Sequence, residues 1–384
     1  MYDSSWHQPR RSLIFALYTD IRLGGGTENV IFQLILNSPM DLFDVTLLET
    51  DLLDMARISP EQISRLEKKV QIIKIRSLRG KFHFLRRSLI GRLLDSVFVE
   101  LMLAPFQSKL YKYITLSFPP NSIVFLSKNS DYKYFRRNEN ILVGSSHTIS
   151  KFEFNLLIRG LLYKKVKHFQ IFPGMLPNTT LGVLDEPRRF LTLPNGVDTN
   201  LFYPRDNNTK MARTSFLFVG RLEKYKGVKE LSSAWECVKN HVNADLHIVG
   251  GGPLGSLFLA GTPRNTIFHG LVSSKELSEI YGRSDIFVYP TLRDNYPLVV
   301  LEALSSGLVV LASDTLKGKF DDFADRGYLL YFSNNRKELS RILVESVEKV
   351  EKYRNMKSEI HEYTRENYDW KRITEQFFEY IGNL

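Results

Sequence analysis

A chain of 384 residues with 43% hydrophobic content is long for one domain and has apolar residues enough to core two. Its single cysteine, Cys237, excludes an internal disulfide and fits a reducing compartment, while no apolar run reaches the length of a membrane-spanning helix. The formal charge of +10 is unevenly placed: residues 61–137 hold sixteen Lys and Arg against five Asp and Glu, enough to account for the whole excess.

In chain order, short apolar runs alternate with longer amphipathic stretches, which predicts an α/β fold with parallel sheets. Arg10-Arg11 precede an apolar run from Leu13 to Tyr18 that is too short for a signal peptide and stops at Asp20. It reads as a first buried strand over 12–18. Gly24-Gly25-Gly26-Thr27-Glu28 then opens a helix, and glycines there let backbone N–H groups approach a phosphate. The spacing is not the G-x-G-x-x-G of a dinucleotide fold. Further strands are expected over 44–49, 70–75, 123–126 and 141–144, with 190–193 closing the first half. Between them, Lys81 to Leu94 mixes bulky apolar and basic residues, a pattern that can lie on an anionic lipid surface. Salt-sensitive partitioning onto anionic vesicles would support that contact, and equal partitioning onto neutral ones would remove it. No nucleic-acid motif accompanies the charge. Gly144-Ser145-Ser146-His147-Thr148 puts His147 at the carboxyl end of a strand.

Residues 204–210 are polar and read as a linker. Strands follow over 215–219, 245–249, 266–269, 286–289 and 309–312, so each half forms a doubly wound unit with ligands at its strand carboxyl ends. Val219-Gly220-Arg221-Leu222-Glu223-Lys224-Tyr225-Lys226-Gly227 places Arg221 and Lys226 at such an end, where two cations can neutralise a diphosphate. Cys237, in Ala234-Trp235-Glu236-Cys237-Val238, reads as a buried helical thiol. Val249-Gly250-Gly251-Gly252-Pro253 and Phe268-His269-Gly270-Leu271-Val272 are strand-to-loop segments, with His247 and His269 read as structural.

The most informative stretch runs from Tyr289 to Gly307. Asp294 and Glu302 lie eight positions apart, one before a helix and one inside it. Pro297 suits the first helical position. The N–H groups of Leu298 and Val299 are then free to bind an anion, and Glu302 falls one turn on, on the face of Leu298. A phosphate at the helix tip would have acceptor-only carboxylates on both sides, as the hydroxyls of a sugar nucleotide require.

This stretch resembles the E-x7-E signature of the family 4 glycosyltransferases, retaining enzymes of the GT-B fold. Asp294 stands where that family has its first Glu, and Glu302 matches the second. Asn295 and Pro297 replace the usual glycines, and Tyr296 takes the aromatic position. Gly220 to Gly227 matches the family's G-R-x-x-x-x-K-G pattern, Val249 to Pro253 its G-x-G-P turn, and Leu193-Pro194-Asn195-Gly196-Val197-Asp198 to Phe202 its N-G-V-D-x-x-x-F interdomain signature.

The resemblance implies two Rossmann-like doubly wound domains facing each other across a cleft. Residues 1–195 would bind the acceptor and 196–367 the nucleotide sugar, with a last helix over 368–384 returning to the first domain. It implies catalytic roles for Asp294, His147, Arg221 and Lys226. Donor contacts would come from Gly25, Gly26, Gly220, Gly251, Leu271, Asn295, Tyr296, Pro297, Leu298, Val299 and Glu302. No metal or cofactor is expected beyond the donor itself. The expected partners are a nucleotide sugar, a glycan or glycolipid acceptor and an anionic membrane surface met through 61–137, in the cytoplasm or peripherally on the inner membrane face. A non-hydrolysing nucleotide-sugar epimerase and a catalytically silent sugar-nucleotide or glycan binder stay open. Turnover without acceptor would mark the first, and binding without acceptor-dependent release of nucleoside diphosphate the second.

Overall fold

The structure, a computed structural model, describes residues 10–17, 21, 26–51, 60–76, 117–127, 135, 139–145, 168–173, 190–205, 213–258 and 265–384. The chain divides into two compact units. The first holds Met1–Ile171, Thr179–Leu193 and Thr374–Leu384; the second holds Phe172–Asn178 and Pro194–Ile373.

The first unit carries a parallel sheet of β1 (Arg11–Ala16), β2 (Phe43–Asp51), β3 (Gln71–Arg76), β4 (Ile123–Leu126), β5 (Ile141–Ser145), β6 (His168–Ile171) and β7 (Phe190–Thr192). Their order is β3-β2-β1-β4-β5-β6-β7. Parallel strands are covered on both faces and so read as near-continuous apolar runs; Leu13 to Phe15 and Ile123 to Leu126 are fully buried. Helix α1 (Gly26–Leu36) follows β1. The strand order reverses between β1 and β4, the usual place for a ligand in such a sheet.

The last helix, Trp370–Gly382, begins in the second unit, and from Thr374 its residues belong to the first. Its Phe377 ring lies 5.4 Å from Phe125 and 6.2 Å from Phe15, and Phe378 lies 5.7 Å from Phe43. Arg11 Nη1 donates to Gly382 O at 3.0 Å, so the first strand holds the helix end as well. Aromatic residues recurring on one helical face explain why this segment covers a sheet.

The second unit has β8 (Thr214–Val219), β9 (Ala244–Val249), β10 (Thr266–Gly270), β11 (Ile286–Tyr289), β12 (Val309–Ser313) and β13 (Leu329–Phe332), all parallel, in the order β10-β9-β8-β11-β12-β13. Here the order reverses between β8 and β11. Strands β6 and β13 are additions to those expected from sequence. Both are only four residues long, and β6 carries the polar His168 and Gln170 within its run.

Helix α2 (Val228–Val238) buries Val228, Leu231, Ala234, Trp235 and Val238. Cys237 falls off that face and is exposed, which corrects the buried thiol expected from sequence. Helix α3 (Ser274–Arg283) starts with a capping box: Ser273 Oγ accepts from Glu276 N, and Glu276 Oε2 accepts from Ser273 N at 2.9 Å. Helix α4 (Leu298–Ser305) carries the second signature carboxylate. The Asn195-Gly196-Val197-Asp198 segment is architectural. Val197 N donates to Tyr368 O at 2.8 Å, Trp370 N donates to Val197 O at 3.1 Å, and a Cβ at Gly196 would stand 2.6 Å from the Trp370 ring. No helix among the described residues is long and apolar enough to cross a membrane.

Candidate functional site

The motif loops of the second unit meet at the carboxyl ends of β8, β9 and β11. Strand β8 is buried along all six residues and delivers the chain into the Gly220–Gly227 loop. Leu222 plugs the core at 0% exposure, and its N–H donates to Gly251 O at 2.9 Å. Gly250 packs so closely on the same loop that a Cβ would fall 1.9 Å from Gly220 O; its φ of +132° also disfavours any side chain. The next residue, Gly251, lies against the side chain of Leu271, which is 74% exposed at the end of β10.

Gly227 ends the first motif loop at φ +71°, and a Cβ there would lie 1.7 Å from Pro290 O. Tyr225 O accepts from Leu292 N at 2.8 Å and from Thr291 Oγ1 at 3.2 Å. The Arg221–Lys226 loop is thereby fastened to the loop that carries Asp294.

That fastening brings Lys226 to Asp294. Lys226 Nζ donates to Asp294 Oδ2 at 2.5 Å and to Tyr289 Oη at 2.7 Å, and Tyr289 Oη donates to the same Asp294 oxygen at 2.7 Å. Asp294 Oδ1 accepts from Asn295 N at 2.9 Å. The lysine and aspartate side chains are only 15% and 19% exposed, so their attraction is less screened than that of a surface pair. Lys319 Nζ, from the loop after β12, donates to Asp294 O at 2.5 Å and holds the backbone. Arg221 is different. Its side chain is 60% exposed, pairs with Glu223 at 3.3 Å, and its guanidinium donates to the Tyr225 hydroxyl.

Pro297 caps α4 with extended backbone (ψ 123°), so the helix starts at Leu298; the proline stands one position earlier than expected from sequence. Leu298 and Val299 are therefore the first two helical residues, whose N–H groups have no partner inside a helix, while Val300 N donates to Pro297 O at 3.2 Å. Glu302 Oε2 accepts from Tyr281 Oη, in the last turn of α3, at 3.1 Å. Burial lifts the Glu302 carboxyl to about 7, and the Tyr281 hydroxyl offsets part of that by favouring the anion.

Tyr296 faces the other way. Its ring is 4% exposed, stacked 5.1 Å from Phe172 and tilted 4.4 Å from Phe320, while its carbonyl accepts from Asn195 Nδ2 at 2.9 Å. The side chain is a core residue, which leaves the backbone as the part of Tyr296 available to a donor. His247 and His269 stack on each other, with Nδ1 and Nε2 2.9 Å apart; burial pushes both imidazoles below their ordinary range. Gly26 is the exposed first residue of α1, with open space where a Cβ would stand. Gly25, His147 and residues 81–94 lie outside the described residues.

The structure therefore brings together Lys226, Asp294 and Asn295 by direct contact, and the Tyr281 hydroxyl lies within hydrogen-bond reach of both Glu302 Oε2 and Val299 O. Tyr289, Tyr281 and Lys319 are site residues that motif reading did not assign. The only sequence signal for Tyr289 is its place at the end of a buried strand, five residues before Asp294.

Residues 201–366 match the family model of glycosyl transferases group 1. The sulfoquinovosyl transferase SQD2 of Arabidopsis thaliana is 34% identical over 131 residues, which cover 31% of this chain and 24% of that protein. A UDP-Gal:alpha-D-GlcNAc-diphosphoundecaprenol alpha-1,3-galactosyltransferase of Escherichia coli is 31% identical over 160 residues, 36% of this chain and 41% of that one. The chain thus spans less than half the length of these curated relatives. Among solved structures, sucrose-phosphate synthase from Thermosynechococcus elongatus superposes with a TM-score of 0.72 at 15% identity, covering 97% of this chain and 99% of that one. The fold is GT-B: two parallel-sheet, Rossmann-like α/β units.

Proposed function

We propose that this chain is a retaining glycosyltransferase of family 4 that moves a sugar from a nucleoside diphosphate sugar to a glycan or lipid-linked acceptor. One observation carries the reading. A half-buried ammonium, Lys226, is hydrogen-bonded to a fixed carboxylate, Asp294, in the loop that leads into the open N-terminus of α4. Cations and free amides suit a pyrophosphate; carboxylates suit the hydroxyls of ribose and hexose. The match to glycosyl transferases group 1 spans the same residues.

In this reading the bond from the sugar's anomeric carbon to the β-phosphate oxygen breaks, an acceptor hydroxyl oxygen bonds to that carbon and passes its proton to the departing phosphate oxygen, and negative charge grows on the diphosphate as it leaves. Lys226, Arg221 and the Leu298 and Val299 amides stabilise that charge, with no metal required. Arg221, exposed and held among the described residues by groups of its own loop, can swing onto a phosphate. Glu302 accepts from the ribose hydroxyls. Asp294 orients the sugar. A lipid-linked acceptor is the proposal because the matched Escherichia coli enzyme is named for one, and because residues 61–137 are strongly basic.

The test is a panel of UDP-, GDP- and ADP-sugars read by protection against thermal unfolding. A ligand at a hundred times its dissociation constant adds about 2.7 kcal/mol of stability. One nucleotide class is expected to protect, and Arg221→Ala and Glu302→Ala are expected to weaken that protection. If no nucleotide sugar protects the wild-type protein, the reading fails.

A further inference from the structure

We infer that the Tyr289 hydroxyl is a positioning group of this site, clamping Asp294 and Lys226 into one unit whose single spare donor and single spare acceptor face the sugar diphosphate. The inference deepens the proposed function and rests on it for the identity of the ligand.

Tyr289 is the last residue of β11 and is 0% exposed. Its ring stacks 5.8 Å from Phe287 and 6.3 Å from Phe218, so the phenol cannot turn without disturbing two strands. From this anchored ring the hydroxyl accepts from Lys226 Nζ at 2.7 Å and donates to Asp294 Oδ2 at 2.7 Å. Lys226 donates to that same carboxylate oxygen at 2.5 Å, which closes a triangle of three polar atoms. Burial and the neighbouring carboxylate raise the phenol well above its ordinary range, so it stays protonated and keeps donating.

Counting capacity gives the triangle its meaning. An ammonium has three donors, and Lys226 uses two here. A carboxylate has about four acceptor positions. Asp294 uses three, for Lys226, Tyr289 and Asn295 N. Among the described residues, one N–H of Lys226 and one acceptor position on Asp294 Oδ1 remain. A ligand offering an anionic oxygen next to a hydroxyl satisfies both, and a sugar joined to a phosphate is such a ligand. The aspartate is one methylene shorter than the glutamate of the pattern it resembles, and a phenol rising from the strand below fixes it at that shorter reach.

Four proteins test the clamp: wild type, Tyr289→Phe, Asp294→Asn and the double variant. Phenylalanine keeps the stacked ring and removes only the hydroxyl. Trace acetylation with acetic anhydride, without any nucleotide, reports how freely the Lys226 amine moves. Lys357, which is 15% exposed beside Asp285, serves as the internal reference. Tyr289→Phe is expected to raise Lys226 labelling roughly threefold, less than one charged hydrogen bond is worth, and to add almost nothing in the Asp294→Asn background. With the donor found by the panel, Tyr289→Phe is expected to lower kcat about tenfold while leaving donor KM nearly unchanged. Unchanged Lys226 labelling would overturn the clamp. So would an equal rise in both backgrounds, or a parallel rise at Lys357, which would mean general loosening. Should no nucleotide sugar support turnover in wild type, the transferase reading fails while the labelling cycle still decides the clamp.

Discussion

Replacing Lys226 with methionine is expected to cut kcat by two to three orders of magnitude while shifting donor affinity only a few-fold. Methionine keeps the length of the stem and most of its packing against the Tyr225 and Tyr289 rings, which lie 5.2 Å and 5.3 Å from Nζ. What is lost is a fixed donor toward the leaving diphosphate. Removing one such preorganised donor costs about 10²–10³ in rate in sites of this type. The ground-state diphosphate keeps Arg221 and the helix tip, so binding suffers less than turnover. A structural cost accompanies the chemical one. Asp294, 19% exposed, loses its ion-pair partner and keeps Tyr289 and Asn295 as side-chain partners, and stability should fall by about 1–3 kcal/mol. Steady-state kinetics with a folding control separates the two. Turnover within a few-fold of wild type would remove Lys226 from the chemistry.

Donor affinity is expected to rise about tenfold from pH 6 to pH 8 and then level off, following a Glu302 carboxyl lifted to about 7. Ribose hydroxyls donate to the anion, so binding selects the ionised form, and a protonated Glu302 must first lose its proton. Glu302→Gln should bind more weakly throughout and show no such rise. The same shift reverses sign in the free protein. Because the folded-state value lies above the unfolded one, the folded chain binds more protons between about pH 4.5 and 7, and stability falls as pH rises through that window. The full cost, about 3 kcal/mol, is present above pH 7 and absent below the ordinary carboxylate range. Chemical denaturation of wild type and Glu302→Gln across that window measures it. Parallel curves for the two proteins would show that Glu302 ionises normally.

Much of the candidate site was legible in the linear chain because its groups sit at fixed offsets from strand ends and a helix start. Arg221 and Lys226 fall where a buried strand runs out, and Leu298 and Val299 fall where a proline opens a helix. Local rules cover such positions. Tyr281 and Tyr289 were not legible, because their roles depend on hydrogen bonds to Glu302 and Asp294 that only tertiary packing creates. Lys319 reaches Asp294 O from 25 residues away, with no motif to mark it. Tyr296 is the reverse case. An aromatic at a signature position reads as a ligand contact, yet Phe172 and Phe320 bury it, and Asn195 binds its carbonyl. The Cys237 and Pro297 differences are each a matter of one residue: a step of about 100° around a helix, or one place at a helix start, changes burial or role.

A crystal structure of the protein with its protecting nucleotide sugar tests the central claim most directly. The diphosphate is expected within hydrogen-bond reach of Lys226 Nζ and the Leu298 and Val299 amides, with ribose hydroxyls on Glu302. A diphosphate bound elsewhere, with the Lys226–Asp294–Tyr289 triangle untouched and the tip of α4 facing only water, would contradict it.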